Sequence, residues 1–377
     1  MKIVVVSNFL SPHQISLCEE LYERFGNDFI FVTVEKIPAL QAKMGYYQGF
    51  KQYEIVFKQN KKLCKKLILD ADIVLFGSVN EKMFLKRLKQ NKLTFRWSER
   101  FYKDDIKNFK LTRLKQWYHH GFLSKFNSFY YLACSAYLAN DLSLFNNRFE
   151  GRILKWNYFP KLIDFNTDIK VNKPIRLLWV GRLVPLKRPQ WFLDVCKLIK
   201  EKNFSFTADI IGDGPLKEEV VRYIHNNDLS SCITYHGFMK NEDIRTAMNN
   251  CDIFITTSTK EEGWGVVINE ALNAKCAVIA SQHMGATPFL IKNGFNGFSF
   301  SSQQELFDVV IDLIRKPKNI LNIKCNASID YEQNWSAKVA VDRILFLHNN
   351  FVSHGKIVPF ENGICSLANK MNLNDEN

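Results

Sequence analysis

Residues 253–270 read Ile253-Phe254-Ile255-Thr256-Thr257-Ser258-Thr259-Lys260-Glu261-Glu262-Gly263-Trp264-Gly265-Val266-Val267-Ile268-Asn269-Glu270. A short apolar run, a polar loop and a second apolar stretch make a strand, a turn and a helix in immediate succession. Gly263 and Gly265 bracket the helix start, where free N–H groups and the positive end of the dipole form an anion site. Glu262 precedes the helix and Glu270 lies about two turns into it, roughly 12 Å along the axis. Two carboxylates so placed cannot form one close acid–base dyad. They suit the two ends of an elongated ligand, with hydroxyls at each end and a diphosphate across the N–H groups between. A nucleotide sugar has that layout.

The same alternation extends outward in both directions. Strands are expected at Arg176–Val180, Thr207–Ile211, Ile233–His236, Asp252–Thr256, Cys276–Ala280 and Gly297–Phe300, with helices at 188–201, 215–226, 241–249, 265–274, 285–292 and 303–315. In the first half the clearest strands are Ile3–Ser7, Phe29–Val34, Asp72–Phe76 and Phe129–Cys134, with helices at 13–25, 80–90, 108–118 and 136–145. Phe159–Pro174 carries two prolines and no periodicity, and reads as a linker. The fold expected is α/β, with two Rossmann-like doubly wound domains facing across a cleft. The expected boundaries are 1–165, 175–345 and a C-terminal segment 346–377 that returns to the first domain.

The chain has 377 residues, 46% hydrophobic and 24% charged, which suits two folded domains and excludes wholesale disorder. The opening Met1–Val6 is too short an apolar run for a signal peptide, and no stretch approaches the roughly 18 apolar residues of a membrane span. Nine scattered cysteines with no C-x-x-C pair argue for reduced core thiols over a disulfide framework or a zinc site. These features lead to an expected cytoplasmic location.

Three further loops follow strands of the second half. Gly181-Arg182-Leu183-Val184-Pro185-Leu186-Lys187-Arg188-Pro189 lets the chain turn at Gly181 and carries two cations, Arg182 and Lys187, that can hold a diphosphate. Gly212-Asp213-Gly214-Pro215 allows close backbone approach and places Pro215 in a first helical turn. In Tyr235-His236-Gly237-Phe238-Met239 a glycine beside an aromatic lets a nucleobase lie against backbone and ring. Taken singly, each also suits a solvated cation, a plain tight turn or a packed histidine.

In order and spacing these segments resemble the retaining glycosyltransferases of the GT-B fold, in the large family (number four of the sequence classification) that uses nucleotide-diphosphate sugars. The shared elements are Gly181–Lys187, Gly212–Pro215, His236–Phe238, the Glu262–seven residues–Glu270 pair, His283-Met284-Gly285-Ala286-Thr287 and the turn Asn293–Phe298. The likeness covers about residues 175–345. It implies that Arg182 and Lys187 neutralise the leaving diphosphate, aided by N–H groups near Gly265-Val266-Val267. It implies further that Glu270 accepts ribose hydroxyls and Glu262 binds sugar hydroxyls near the reacting carbon. Gly181, Gly212, His236, Gly237 and Phe238 would complete the donor site, a UDP- or GDP-sugar being the donor. No cofactor and no metal are expected, since cations and a helix start can stabilise the departing phosphate.

The first half departs from the family pattern. Its first strand ends in Ser7-Asn8-Phe9-Leu10-Ser11-Pro12-His13-Gln14, where many relatives carry a glycine-rich loop. Relatives often place a histidine facing the sugar, and here Glu99, in Arg96-Trp97-Ser98-Glu99-Arg100, or His13 is expected to take that part. His119 and His120 are lesser candidates. These segments and Trp156-Asn157-Tyr158-Phe159-Pro160 look like bacterial enzymes that assemble surface polysaccharides such as capsule or O-antigen. The expected acceptor is a glycan or lipid-linked glycan.

Charge is unevenly spread. Residues 1–170 hold 28 basic and 16 acidic side chains; residues 171–377 hold 23 and 22. Lys51, Lys58, Lys61, Lys62, Lys65, Lys66, Lys82, Lys86, Arg87, Lys89 and Lys92 crowd one stretch. An anionic membrane surface, met through residues 51–115 at the inner face of the cytoplasmic membrane, fits this pattern. A nucleic-acid binder also fits the charge, but no helix-turn-helix, RNP-like or zinc signature supports it and no nucleic-acid partner is expected. A same-fold sugar phosphorylase or nucleotide-sugar hydrolase is the remaining enzymatic alternative.

Overall fold

The structure, a computed structural model, describes residues 1–39, 42, 49–102, 118–144, 148–161 and 169–371. The chain divides into two compact units, Met1–Lys161 with Asn334–Leu373, and Leu162–Gln333.

In the first unit seven strands form one sheet: β1 (Ile3–Ser7), β2 (Phe29–Thr33), β3 (Glu54–Val56), β4 (Ile73–Phe76), β5 (Thr94–Ser98), β6 (Phe129–Ala133) and β7 (Ile153–Lys155), in the order β3-β2-β1-β4-β5-β6-β7. Every pairing is parallel, with Ile3 opposite both Phe29 and Ile73. β1, β4 and β6 are buried along their whole length, which is why they read as continuous apolar runs rather than alternating ones. Helices α1 (Ile15–Phe25), α2 (Lys61–Asp70), α3 (Leu85–Lys89) and α4 (Leu138–Ser143) connect them.

The second unit repeats the plan. β8 (Ile175–Val180), β9 (Phe206–Ile211), β10 (Ile233–Gly237), β11 (Ile253–Thr256), β12 (Ala277–Ser281) and β13 (Gly297–Phe300) lie in the order β10-β9-β8-β11-β12-β13, again all parallel. They alternate with α5 (Pro189–Glu201), α6 (Lys217–Asn226), α7 (Asn241–Asn250), α8 (Val267–Asn273) and α9 (Thr287–Leu290), followed by α10 (Gln303–Arg315) and α11 (Pro317–Trp335). In each sheet the strand order reverses at one point, between β1 and β4 and between β8 and β11. Such a point opens a crevice at the carboxyl ends of the strands, where doubly wound folds bind ligands.

The last helix, α12 (Ala337–His354), belongs to the first unit. Ser336 caps its start by accepting from the Val339 N–H, and Gly355, at φ 68°, ends it. α12 lies against α1, where the Arg24 guanidinium pairs with Asp342. Beyond it the chain runs along β7: the Lys155 N–H donates to the Ser366 carbonyl at 2.7 Å and the Ala368 N–H to that of Ile153 at 2.9 Å. This covers a sheet edge that would otherwise present unpaired backbone groups.

Several elements differ from the sequence reading. The helix expected over 80–90 is a 3-10 turn, Glu81–Met83, followed by α3; of the helix expected over 108–118, residues 108–117 lie outside the described residues. β3, β7, α2, α11 and α12 were not expected. α11 hid because its buried stripe carries Lys324 and Asp330 among apolar residues. These charges are paired, Lys324 with Asp252 at 3.1 Å and Asp330 with Lys292 at 2.5 Å. Phe159 and Pro160 are no linker: both are buried, and the Phe159 N–H donates to the His13 carbonyl at 2.6 Å. Arg87, counted above as a surface cation, is 1% exposed. α6 begins at Lys217, so Pro215 precedes the helix instead of opening it. All nine cysteines are free thiols.

Candidate functional site

The loops after β8, β9 and β11 meet at the switch point of the second unit. Gly212, at φ 138°, lies so close to Gly181 that a Cβ on it would stand 1.8 Å from the Gly181 carbonyl oxygen. Gly214, at φ 155°, is also confined: a Cβ on it would stand 2.6 Å from the Leu183 carbonyl oxygen. The Gly181 N–H donates to the Ile211 carbonyl at 3.0 Å and the Gly212 N–H to the Gly237 carbonyl at 2.7 Å, so three strand ends are laced by backbone. Glycine at 212 is thus required by a backbone contact as well as by the turn.

After β8 a 3-10 turn, Pro185–Lys187, presents Lys187, and Arg188 follows in the left-handed region at φ 43°. The Arg188 guanidinium donates to the Thr257 carbonyl at 2.6 Å and to the Ser258 carbonyl and Ser281 hydroxyl at 3.3 Å, and lies 3.8 Å over the Trp191 ring. Sequence reasoning passed over Arg188 because a cation after a strand usually faces water. Here it ties the β8 loop to the loops after β11 and β12. The Thr257 hydroxyl returns the link, donating to the Lys187 carbonyl at 2.7 Å, and the Thr259 N–H donates to the Leu186 carbonyl at 2.8 Å.

This bracing brings two expected site residues together. The Lys187 ammonium stands 2.5 Å from the Glu262 carboxylate, with side-chain exposures of 15% and 20%. Arg182 is exposed and forms no salt bridge among the described residues. Gly265, at φ 91°, sits where a Cβ would strike the buried Met284 at 2.3 Å, and the Ala286 N–H donates to the Trp264 carbonyl at 3.0 Å. The loop His283–Thr287 therefore backs the Glu262 loop. Trp264 is 2% exposed, its indole N–H donating to Asn269 at 2.9 Å; it packs beneath the site. α8 opens at Val267, so its first N–H groups have no carbonyl one turn earlier within the helix.

Glu270, on α8, is not in the Lys187–Glu262 pair. It faces Arg245 of α7 at 3.7 Å, and the two side chains are 19% and 14% exposed. Burial pushes the Glu270 carboxyl above the usual carboxylate range, and the Arg245 guanidinium draws it partly back. His236 pairs with Asp209 at 2.6 Å across β10 and β9, while Phe238, just beyond Gly237 at φ 67°, is 74% exposed. The Tyr235 hydroxyl donates to the Gly212 carbonyl at 3.1 Å.

In the first unit the candidates sort into two groups. The Tyr158 hydroxyl donates to Glu99 at 2.8 Å and its ring lies 5.8 Å from that of His13, so His13 and Glu99 flank one tyrosine near the carboxyl ends of β1 and β5. His119 instead lies 3.4 Å from Glu81, which also pairs with Arg96. His120 is buried, its Nδ1 2.9 Å from the Tyr131 hydroxyl, and burial pulls its pKa down to about 4. Tyr158 was noted in sequence only as part of a segment; its contact with Glu99 joins residues 59 apart and has no local signal.

Comparison with known proteins places these features. Residues 162–330 match the family model described as glycosyl transferases group 1. AmsK of Erwinia amylovora, an amylovoran biosynthesis glycosyltransferase, is 26% identical over 185 residues, 47% of this chain and 45% of that protein. An Escherichia coli UDP-Gal:alpha-D-GlcNAc-diphosphoundecaprenol alpha-1,3-galactosyltransferase is 30% identical over 159 residues, 40% of this chain and 39% of that protein. The matches span less than half the length of either relative. The structure of Anabaena HepE in complex with UDP superposes with a TM-score of 0.64 at 18% identity, covering 92% of this chain and 99% of that one. The family likeness thus lies in residues 162–330, and the pair of doubly wound parallel sheets, with the superposition over most of the chain, gives the protein the GT-B fold.

Proposed function

We propose that the protein is a retaining glycosyltransferase that moves a sugar from a nucleotide-diphosphate sugar to a glycan or lipid-linked glycan, in bacterial surface-polysaccharide assembly. One observation carries the reading: Lys187 and Glu262 meet at 2.5 Å at the switch point, next to the start of α8. A cation and a carboxylate beside the first N–H groups of a helix suit a sugar joined to a diphosphate. The relatives named above, one of which acts on a UDP-sugar by its name, support this reading.

In this mechanism Lys187 and Arg182 hold the diphosphate, and charge building on the departing oxygen is met by the ammonium, the guanidinium and the N–H groups near Gly265–Val267. Glu262 accepts from sugar hydroxyls and fixes the reacting carbon. Glu270 accepts from the ribose hydroxyls, and Phe238 offers its exposed ring to the base. The acceptor oxygen attacks the face that the diphosphate leaves. The anomeric carbon–phosphate oxygen bond breaks, the new glycosidic bond forms, and the acceptor's proton passes to the released phosphate oxygen. In the first unit Glu99, oriented by Tyr158, or His13 takes the part that the sugar-facing histidine plays in relatives. The acceptor is met at an anionic bilayer, at the inner face of the cytoplasmic membrane, through the basic face of the first unit. Among the described residues no helix is long and apolar enough to cross a membrane.

The test is a titration with UDP, GDP and their sugars, followed by tryptophan fluorescence and by product analysis. Trp264 lies under the Glu262 loop, and the Trp179 indole donates to Thr257 at 3.2 Å, so binding is expected to change the emission. Silence toward every nucleotide overturns the reading. The product's anomeric configuration, read by NMR, is expected to match the donor's, and turnover is expected to persist in EDTA; inversion or strict metal dependence contradicts the mechanism.

A further inference from the structure

Arg245 drew no attention in the sequence: it sits on α7, in no loop and in no motif. The packing of α7 against α8 places its guanidinium 3.7 Å from the Glu270 carboxylate, with only 14% of the side chain exposed. Its Nε is buried without a hydrogen-bond partner. A buried guanidinium with an idle donor is costly unless it is paired or serves a ligand. The carboxylate it faces is 19% exposed, open enough for a hydroxyl to reach it.

We propose that Arg245 is a positioning residue of the donor site, holding Glu270 as a fixed, charged acceptor for the vicinal hydroxyls of the nucleotide's ribose. This rests on the reading of Glu270 as the ribose contact. The physical need is specific. A carboxylate that accepts two hydroxyl protons must be ionised and held in one plane, and burial opposes ionisation. Among the described residues Arg245 is the one charge that offsets this burial. Glu270's pKa lies above its ordinary value, so protonation on acidification reaches it early and removes an acceptor. Nucleotide affinity therefore falls with pH, and loss of Arg245 moves that fall to higher pH.

The experiment measures affinity for UDP-glucose and GDP-mannose, whose diphosphates keep a constant charge in this range, by calorimetry from about pH 5 to about pH 8, on wild type, Arg245→Gln, Arg245→Lys, Glu270→Gln and the double Gln variant. Arg245→Gln is expected to weaken nucleotide binding about three- to tenfold near neutrality and to raise the acid limb by about one pH unit. Arg245→Lys keeps the charge and is expected to keep the limb near wild type, with weaker binding from loss of the planar fork. Glu270→Gln removes the limb, and adding Arg245→Gln to it leaves the profile flat. Wild-type affinity and pH dependence in Arg245→Gln overturn the proposal while leaving the donor site intact. A limb that persists in Glu270→Gln overturns it also, even if Arg245→Gln does not fold. A wild type that binds neither nucleotide removes the donor reading and this proposal together.

Discussion

At the scale of single residues, Lys187 and Glu262 are each half of a pair, and this decides how substitutions act. Lys187→Ala leaves a carboxylate that is 20% exposed without its cation, beside the place proposed for a diphosphate. Donor binding then loses an attraction and gains a repulsion. We expect Lys187→Ala to raise donor KM or lower turnover at least about tenfold, roughly 1.4 kcal/mol. The double variant Lys187→Ala/Glu262→Gln is expected to regain part of the nucleotide affinity but not the turnover, because the sugar contact is then also lost. Additive losses in a double-mutant cycle would separate the two residues. The sequence placed both at strand ends but could not show that they touch. Their contact depends on Arg188, whose left-handed backbone and three-way hydrogen bonding have no signature in one chain's order of residues.

At the scale of elements, the buried parallel strands were legible because their apolar runs have no competing reading. β1 and β13 match the expected bounds and most others lie within a residue of them. What the pattern could not show were elements whose inward face is polar or whose outward face is charged. α2 (Lys61–Asp70) turns only Cys64 and Ile68 fully inward, so its lysines read as a charge run. Arg87 is the sharper case. Its guanidinium donates to the carbonyls of Ile68, Ala71, Asp72 and Leu93, tying the end of α2 to the strands on either side of α3. Burial lowers its pKa to about 10, so it stays charged at neutral pH. Arg87→Ala leaves four carbonyls to find new donors in a dry site, an expected cost of about 3 kcal/mol or more. Calorimetry is expected to show the first unit's transition lowered by several degrees, and Arg87→Lys not to restore it, since one ammonium cannot span four acceptors. An unchanged transition would mean that water reaches these carbonyls.

At the scale of the molecule, structure corrects the charge count before interpreting it. The excess of the first 170 residues includes cations that never face a partner: Arg87 is buried, Arg96 is held by Glu81, and Arg152 donates to the carbonyls of Ser124 and Phe126. What remains exposed is concentrated. Lys58, Lys61, Lys62, Lys65 and Lys66 run along and just before α2, with Leu63 between them 46% exposed, and Lys82, Lys86 and Lys89 are also exposed. Residues 103–115 of the expected surface lie outside the described residues. A basic helix face with one exposed leucine suits the headgroup region of an anionic bilayer, where each cation contributes about 1 kcal/mol. Reversing Lys61, Lys62, Lys65 and Lys66 to Glu should therefore lower partitioning onto phosphatidylglycerol vesicles at least about a hundredfold at low salt, with nucleotide binding unchanged. Wild-type binding should weaken as salt shortens the Debye length below about 10 Å. Leu63→Ala should cost less than the reversals, because charge brings the helix to the surface and one side chain only seats it. A wild type that stays in solution with these vesicles at low salt would end the membrane proposal and leave the donor site untouched, since the two rest on separate units of the chain.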